Sequence, residues 1–153
     1  MLSDLERDEI TQELTHYPHR RAAAVEALRI VQRHRSWISD DTLKDIAQFL
    51  DMTPDELDGV ATFYNLIFRQ PVGRHVVFLC NSISCWIAGY EDVRREVETR
   101  LHVGLGETTA DGRLTVLPIV CLGACHRAPA IMIDEDLHQA RPEGMSEILE
   151  RYR

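Results

Sequence analysis

Four cysteines fall into two tight pairs, Cys80/Cys85 and Cys121/Cys125, with 35 residues between the pairs and no fifth cysteine in the chain. Thiolate sulfur is a soft ligand, and four such groups at one point suit a zinc ion or an iron–sulfur group. Each pair directly follows an apolar, strand-like run. His75-Val-Val-Phe-Leu79 precedes the first, and Leu114-Thr-Val-Leu-Pro-Ile-Val120 leads to the second. Two strands joined by a helix run parallel, so their C-terminal ends share one edge of the sheet. That topology predicts a meeting of all four thiols.

Three chemistries compete for such a set. Disulfides require an oxidising compartment. The N-terminus, Met1-Leu-Ser-Asp-Leu-Glu-Arg-Asp-Glu9, is acidic and polar and shows neither a secretory signal nor an Arg-rich transit peptide. The expectation is therefore a chain that stays where it is made, among reduced thiols. Structural zinc modules usually leave two residues between paired cysteines and staple chains with little core. Here the gaps are four and three, and the core is ample. A [2Fe–2S] group suits wider loops that turn amides toward its sulfides, and four thiolates match its ligand number. The spacing C-x4-C…C-x3-C is not that of plant ferredoxins, which points to a different scaffold.

Local signals support an anionic site. Cys85 is expected where a helix begins, and the unpaired N–H groups there favour thiolate. Gly123 is free to take φ > 0, which curls its loop and aims amides at sulfur. Pro129 removes a donor where the chain leaves the site.

The elements that must position these thiols read as α+β, in two parts. Residues 1–70 read as a helical domain. Ser3-x-x-Glu6 is a capping-box pattern, with Ile10, Leu14 and Tyr17 following at i, i+4 and i+7. A second helix is predicted over 20–35, a third from about Ser39, and a fourth from Thr53-Pro54-Asp55-Glu56, which places proline at the first helical position. The connector 62–73 is aromatic, and Phe63, Tyr64 and Phe68 are expected to seal the helices onto the following domain, the alternative being that some of these rings form a partner surface. Residues 71–153 then read as strand 74–80, a helix near 85–101, strand 113–120, a hairpin from Ala130–Asp134 with 137–141, and a last helix carrying Met145, Ile148, Leu149 and Tyr152. The order β-α-β-β-β-α, a parallel pair followed by a hairpin, is that of a thioredoxin-like domain. Asp134-Glu135-Asp136 reads as a solvated turn.

Composition excludes several function classes. With 44% hydrophobic and 27% charged residues the chain has the balance of a globular protein, and no apolar run approaches the roughly 20 residues that span a bilayer. The formal net charge of −8 argues against nucleic acid as a partner. No G-x-G-x-x-G follows a strand, since Gly104-Leu-Gly106 is an isolated fragment, and no phosphate-binding Walker loop is present.

The two cysteine spacings, the run from Cys121-Leu-Gly-Ala-Cys125 to Ala128-Pro-Ala-Ile-Met-Ile-Asp134, and Gly59-Val-Ala-Thr-Phe-Tyr64 together carry a resemblance. They are similar to the small thioredoxin-like [2Fe–2S] subunit of respiratory NADH:quinone oxidoreductase (complex I). Phe68-Arg-Gln-Pro-Val-Gly-Arg-His75 resembles its bacterial form, and related subunits serve NAD-linked formate dehydrogenases and hydrogenases. The resemblance covers nearly the whole chain and implies one [2Fe–2S] cluster on Cys80, Cys85, Cys121 and Cys125. It further implies docking on a larger flavoprotein subunit that holds FMN, the NADH site and a [4Fe–4S] cluster. Electron transfer would then belong to the assembled oxidoreductase, with no catalysis by the isolated chain, on the cytoplasmic side of the inner membrane. His126 and Arg127 flank Cys125 and read as ordinary loop residues, although a cation there would stabilise an added electron. Trp86 either shields the cluster or meets a partner. A thiol–disulfide enzyme is the reading from another class, and the four-residue gap between Cys80 and Cys85 disfavours it.

Overall fold

Backbone donors at the helix starts find partners within a few residues, and this sets where each N-terminal helix begins. In the computed structural model, which describes residues 1–153, the chain divides into two compact units, Met1–Pro71 and Val72–Arg153. Helix α1 (Asp4–Leu14) opens on Ser3, whose Oγ accepts from Glu6 N, while Ser3 N donates back to Glu6 Oε2. Helix α2 (Ala24–Arg35) follows a tighter 3-10 turn, Arg20–Ala23, so the predicted single helix over 20–35 is split. There the His19 ring accepts from Ala22 N and caps the turn. Helix α3 (Asp40–Phe49) starts from Ser39, and α4 (Pro54–Phe63) from the Thr53/Glu56 capping box. Their apolar stripes meet in a core of Ile10, Leu28, Ile38, Ile46, Leu50 and Leu57, each fully buried. Tyr17 lies beyond the end of α1.

Two of the three connector rings are not buried as a seal requires, while Phe68 is half-buried. Phe63 and Tyr64 are exposed and stack edge to face on each other, with ring centroids 5.3 Å apart. Polar side chains hold the segment instead. Gln32 accepts from Phe68 N (2.7 Å) and donates to Leu66 O (2.8 Å). Arg69 donates to Asp58 Oδ1 and Asp40 Oδ1, both at 2.7 Å, and to Ile38 O. These bonds satisfy main-chain groups that a ring cannot.

The second unit is a four-stranded sheet in the order β2-β1-β3-β4. Strand β1 (His75–Cys80) is central and almost wholly buried, which suits its unbroken apolar run. It pairs in parallel with β2 (Leu114–Ile119) and antiparallel with β3 (Ala130–Ile133), and β3 pairs with β4 (Asp136–Gln139) as the predicted hairpin. The predicted helix near 85–101 is two helices, α5 (Ile83–Ile87) and α6 (Tyr90–Leu101). Gly89, at φ +109°, breaks the run between them. Helix α7 (Met145–Glu150) packs Met145 and Leu149 into a core with Val77, Leu79, Val93 and Val97.

Asp134 is more than a solvated turn residue. Its Oδ1 accepts from Val76 N (3.0 Å) and its Oδ2 lies 2.7 Å from His75 Nδ1, while Asp136 accepts from the Tyr152 hydroxyl at 2.8 Å. These contacts tie the hairpin tip to the start of β1, the end of the sheet opposite the cysteines.

The packing makes two residues direct probes of stability. Glu6, only 2% exposed, accepts from Arg35 Nε and Nη2, each at 2.6 Å, and that guanidinium holds its carboxyl down at about 2 from an ordinary 4.5. A carboxyl held low in the folded chain stabilises it above about pH 4.5 and loses that contribution as pH falls toward about 2. Glu6→Gln should therefore cost about 3 kcal/mol at neutral pH and flatten the acid limb of a urea-unfolding profile. Gly73 N donates to Thr115 Oγ1 (2.6 Å), and a Cβ there would sit 3.0 Å from the backbone of Gly112 and Arg113. Gly73→Ala should lower the melting temperature through a loss of about 1–3 kcal/mol.

Candidate metal centre

Parallel pairing sets the geometry of the thiol edge. Cys80, the last residue of β1, lies opposite Ile119, the last residue of β2, and Asn81 N donates to Ile119 O at 3.0 Å. Cys121 therefore begins its loop two residues past a strand end that is already level with Cys80. Strand β3 runs back along the other side of β1, with Leu79 opposite Ile131, and brings Ala130 to the same edge. Cys85 sits mid-way in the five-residue helix α5 rather than at the start of a long one, and is its buried residue. Cys125 opens a 3-10 turn that ends at Arg127.

The four thiols are free, two buried (Cys80 and Cys85) and two exposed (Cys121 and Cys125). Burial opposes ionisation of Cys80. The N–H groups of Ser82 and Leu122 and the Cys85 thiol nevertheless donate to it and hold it below the ordinary thiol range. Burial pushes Cys85 up against an N–H of Ala130, and the sulfurs of Cys80 and Cys125 push the same way. Gly123 N donates to Cys121 Sγ at 3.3 Å from a residue at φ +69°, the curl expected of that glycine. The two cysteine pairs thus lie within one another's electrostatic reach, and each loop lends an amide to sulfur.

The donor set decides what such an edge suits. Four soft cysteine sulfurs met by backbone N–H groups fit a binuclear [2Fe–2S] group, whose ligand requirement is four cysteines.

Some participants carry no mark in the sequence. The amides of Ser82, Leu122 and Ala130 come from residues of any type, so no side-chain signal singles them out. Trp86, for which shielding and partner contact compete, is exposed, and so are His126 and Arg127.

The family model for thioredoxin-like [2Fe-2S] ferredoxin matches residues 10–153. A relative from Pseudomonas aeruginosa, named as a subunit of NADH-quinone oxidoreductase, is 50% identical over 153 residues, 99% of this chain and 92% of that one. The like-named subunit from Escherichia coli is 48% identical over the same shares. Among solved structures, an NAD+-reducing [NiFe]-hydrogenase in the air-oxidized state shares the fold, with a TM-score of 0.72 at 22% identity. That match takes in 85% of this chain and only 22% of the hydrogenase chain. The family match spans both the sheet and most of the N-terminal helices, and on it the chain belongs to the thioredoxin-like [2Fe-2S] ferredoxin family.

Proposed function

We propose that this chain is the electron-transfer subunit of an NADH-quinone oxidoreductase, with Cys80, Cys85, Cys121 and Cys125 as the ligands of one [2Fe–2S] cluster. The observation that carries the reading is the gathering of four free thiols, each loop with its own amide donor, on one sheet edge. Relatives that match over nearly their whole length, and that are named as a subunit of that oxidoreductase, support it. When bound, the cluster supplies reversible one-electron chemistry.

Each residue then has a definable task. Cys80 and Cys85 hold the inner side of the site out of water. The amides of Ser82 and Leu122 offset negative charge on Cys80, that of Ala130 on Cys85, and that of Gly123 on Cys121. Cys121 and Cys125 leave the outer side accessible to a redox partner. Arg127, two residues past Cys125, places positive charge where added negative charge must be stabilised.

As the family resemblance implies, FMN, NADH and a [4Fe–4S] cluster belong to a larger flavoprotein subunit on which this chain docks. In this reading residues 1–70 form the helical domain and 71–153 the cluster domain. No helix is long and apolar enough to cross a membrane, and attachment on the cytoplasmic side of the inner membrane runs through other subunits of the complex.

Anaerobic purification should give a brown protein with about two irons and two acid-labile sulfides per chain. A colourless protein with one tightly held zinc would refute the proposal. Cys121→Ser should lose or distort the optical and EPR signals while far-UV circular dichroism keeps the N-terminal helices. Arg127→Glu should lower the midpoint potential by roughly tens of millivolts, since it replaces a cation by an anion two residues from Cys125. An unchanged redox titration would make Arg127 a bystander.

A further inference from the structure

Helices α1, α3, α4 and α5 all open on a hydroxyl residue, and three of the four use it in the same way. Ser3, Ser39 and Thr53 each accept from the backbone N–H three residues on, every time at 3.2 Å. That bond satisfies a donor which the helix itself leaves unpaired. Ser82, before α5, has the same extended backbone, φ −71° and ψ 163° against −69° and 163° at Ser3. Its side chain nevertheless makes no capping bond. Local geometry permits the cap, so another partner holds the hydroxyl.

That partner is the Cys80 sulfur. Residues two apart in an extended chain share a face. The pairing with β2 continues one residue past β1, where Asn81 N donates to Ile119 O at 3.0 Å. Ser82 thus stands beside Cys80, and its hydroxyl donates to that sulfur together with the N–H groups of Ser82 and Leu122. Cys85 and Cys121 draw on the N–H groups of Ala130 and Gly123. Among these donors the hydroxyl is the one that a substitution removes without touching the backbone. Cys80 is buried and Ser82 half-buried, so water competes little for either and their hydrogen bond gains strength.

We propose that Ser82 is a positioning residue for electron transfer: its hydroxyl, withdrawn from helix capping, donates to Cys80 Sγ and biases the site toward its one-electron-reduced state. A hydrogen bond strengthens as its acceptor gains negative charge, so this one favours the reduced state over the oxidised. No covalent bond forms or breaks, and the proton stays on Ser82 Oγ. The single electron comes from the redox partner in the assembled enzyme and from dithionite in the test below. The inference deepens the electron-carrier reading and rests on it.

The experiment steps the potential of the full, anaerobically purified chain with dithionite and redox mediators, and follows the EPR signal of the reduced state. Ser82→Ala should keep the visible absorption and move the midpoint to a more negative potential. At a fixed potential its ratio of reduced to oxidised chains should fall by about threefold to tenfold, the effect of losing one hydrogen bond. Ser82→Thr, which retains a hydroxyl, should restore the midpoint. Because Ser82 makes no capping bond, neither variant should alter the far-UV circular dichroism. If Ser82→Ala fails to hold the iron–sulfur group, Ser82→Gly is read in its place. An unchanged midpoint with an intact chromophore overturns the proposal and leaves the electron-carrier reading standing. So does an equal shift in Ser82→Thr, and so does loss of the chromophore from both hydroxyl-free variants, which would assign the hydroxyl to holding the group. A colourless unsubstituted chain defeats the electron-carrier reading itself.

Discussion

The parallel pairing of β1 with β2 is the constraint on which the thiol edge depends. Cys80 stands level with Ile119 only because Val76–Cys80 are buried on both faces of the sheet and cannot shift. A one-residue slip would turn each side chain to the other face and carry the Cys121 loop about 3.3 Å along the strand direction. Leu122 N would then lose the Cys80 sulfur. Core packing of apolar side chains thus sets the position of polar atoms at the strand ends.

The two units handle charge in different ways. In Met1–Pro71 a buried carboxylate, Glu6, is answered by a guanidinium, and Arg69 spans two acids and a carbonyl. Full charges there have full partners. Around the thiols, by contrast, neutral amides face sulfur, and residues 75–90 and 114–133 contain no Asp or Glu. Amide dipoles held by the backbone cost no counter-ion and move little when the charge beside them changes. A site meant to cycle between charge states gains from donors of this kind, and the acidity of the chain sits elsewhere.

Much of the local structure is legible from residue type and spacing. Ser3/Glu6 and Thr53/Glu56 open helices because their side chains satisfy nearby donors, an effect contained within four residues. Gly123 curls as expected because its freedom is intrinsic to the residue. The misreadings have a common origin. Phe63 and Tyr64 have the character of a seal because aromatic residues usually bury, while the polar ties that hold the connector come from Gln32 and Arg69, at long sequence range from their partners. The single helix expected near 85–101 overlooks Gly89, whose backbone turn divides α5 from α6. Asp134 has the look of a turn acid because its partners, His75 and Val76, lie 58 and more residues away.

By itself the sequence determined that four cysteines follow two buried strands and that the fold is helices and then a thioredoxin-like sheet. Residue type and short spacing suffice for such conclusions, since propensity, capping and ligand softness are local properties. Only the tertiary structure decided which amides reach which sulfur and which thiols stay exposed. Those outcomes depend on strand register and on chain reversals between distant segments, where backbone atoms common to all residues do the contacting and leave no mark in the sequence.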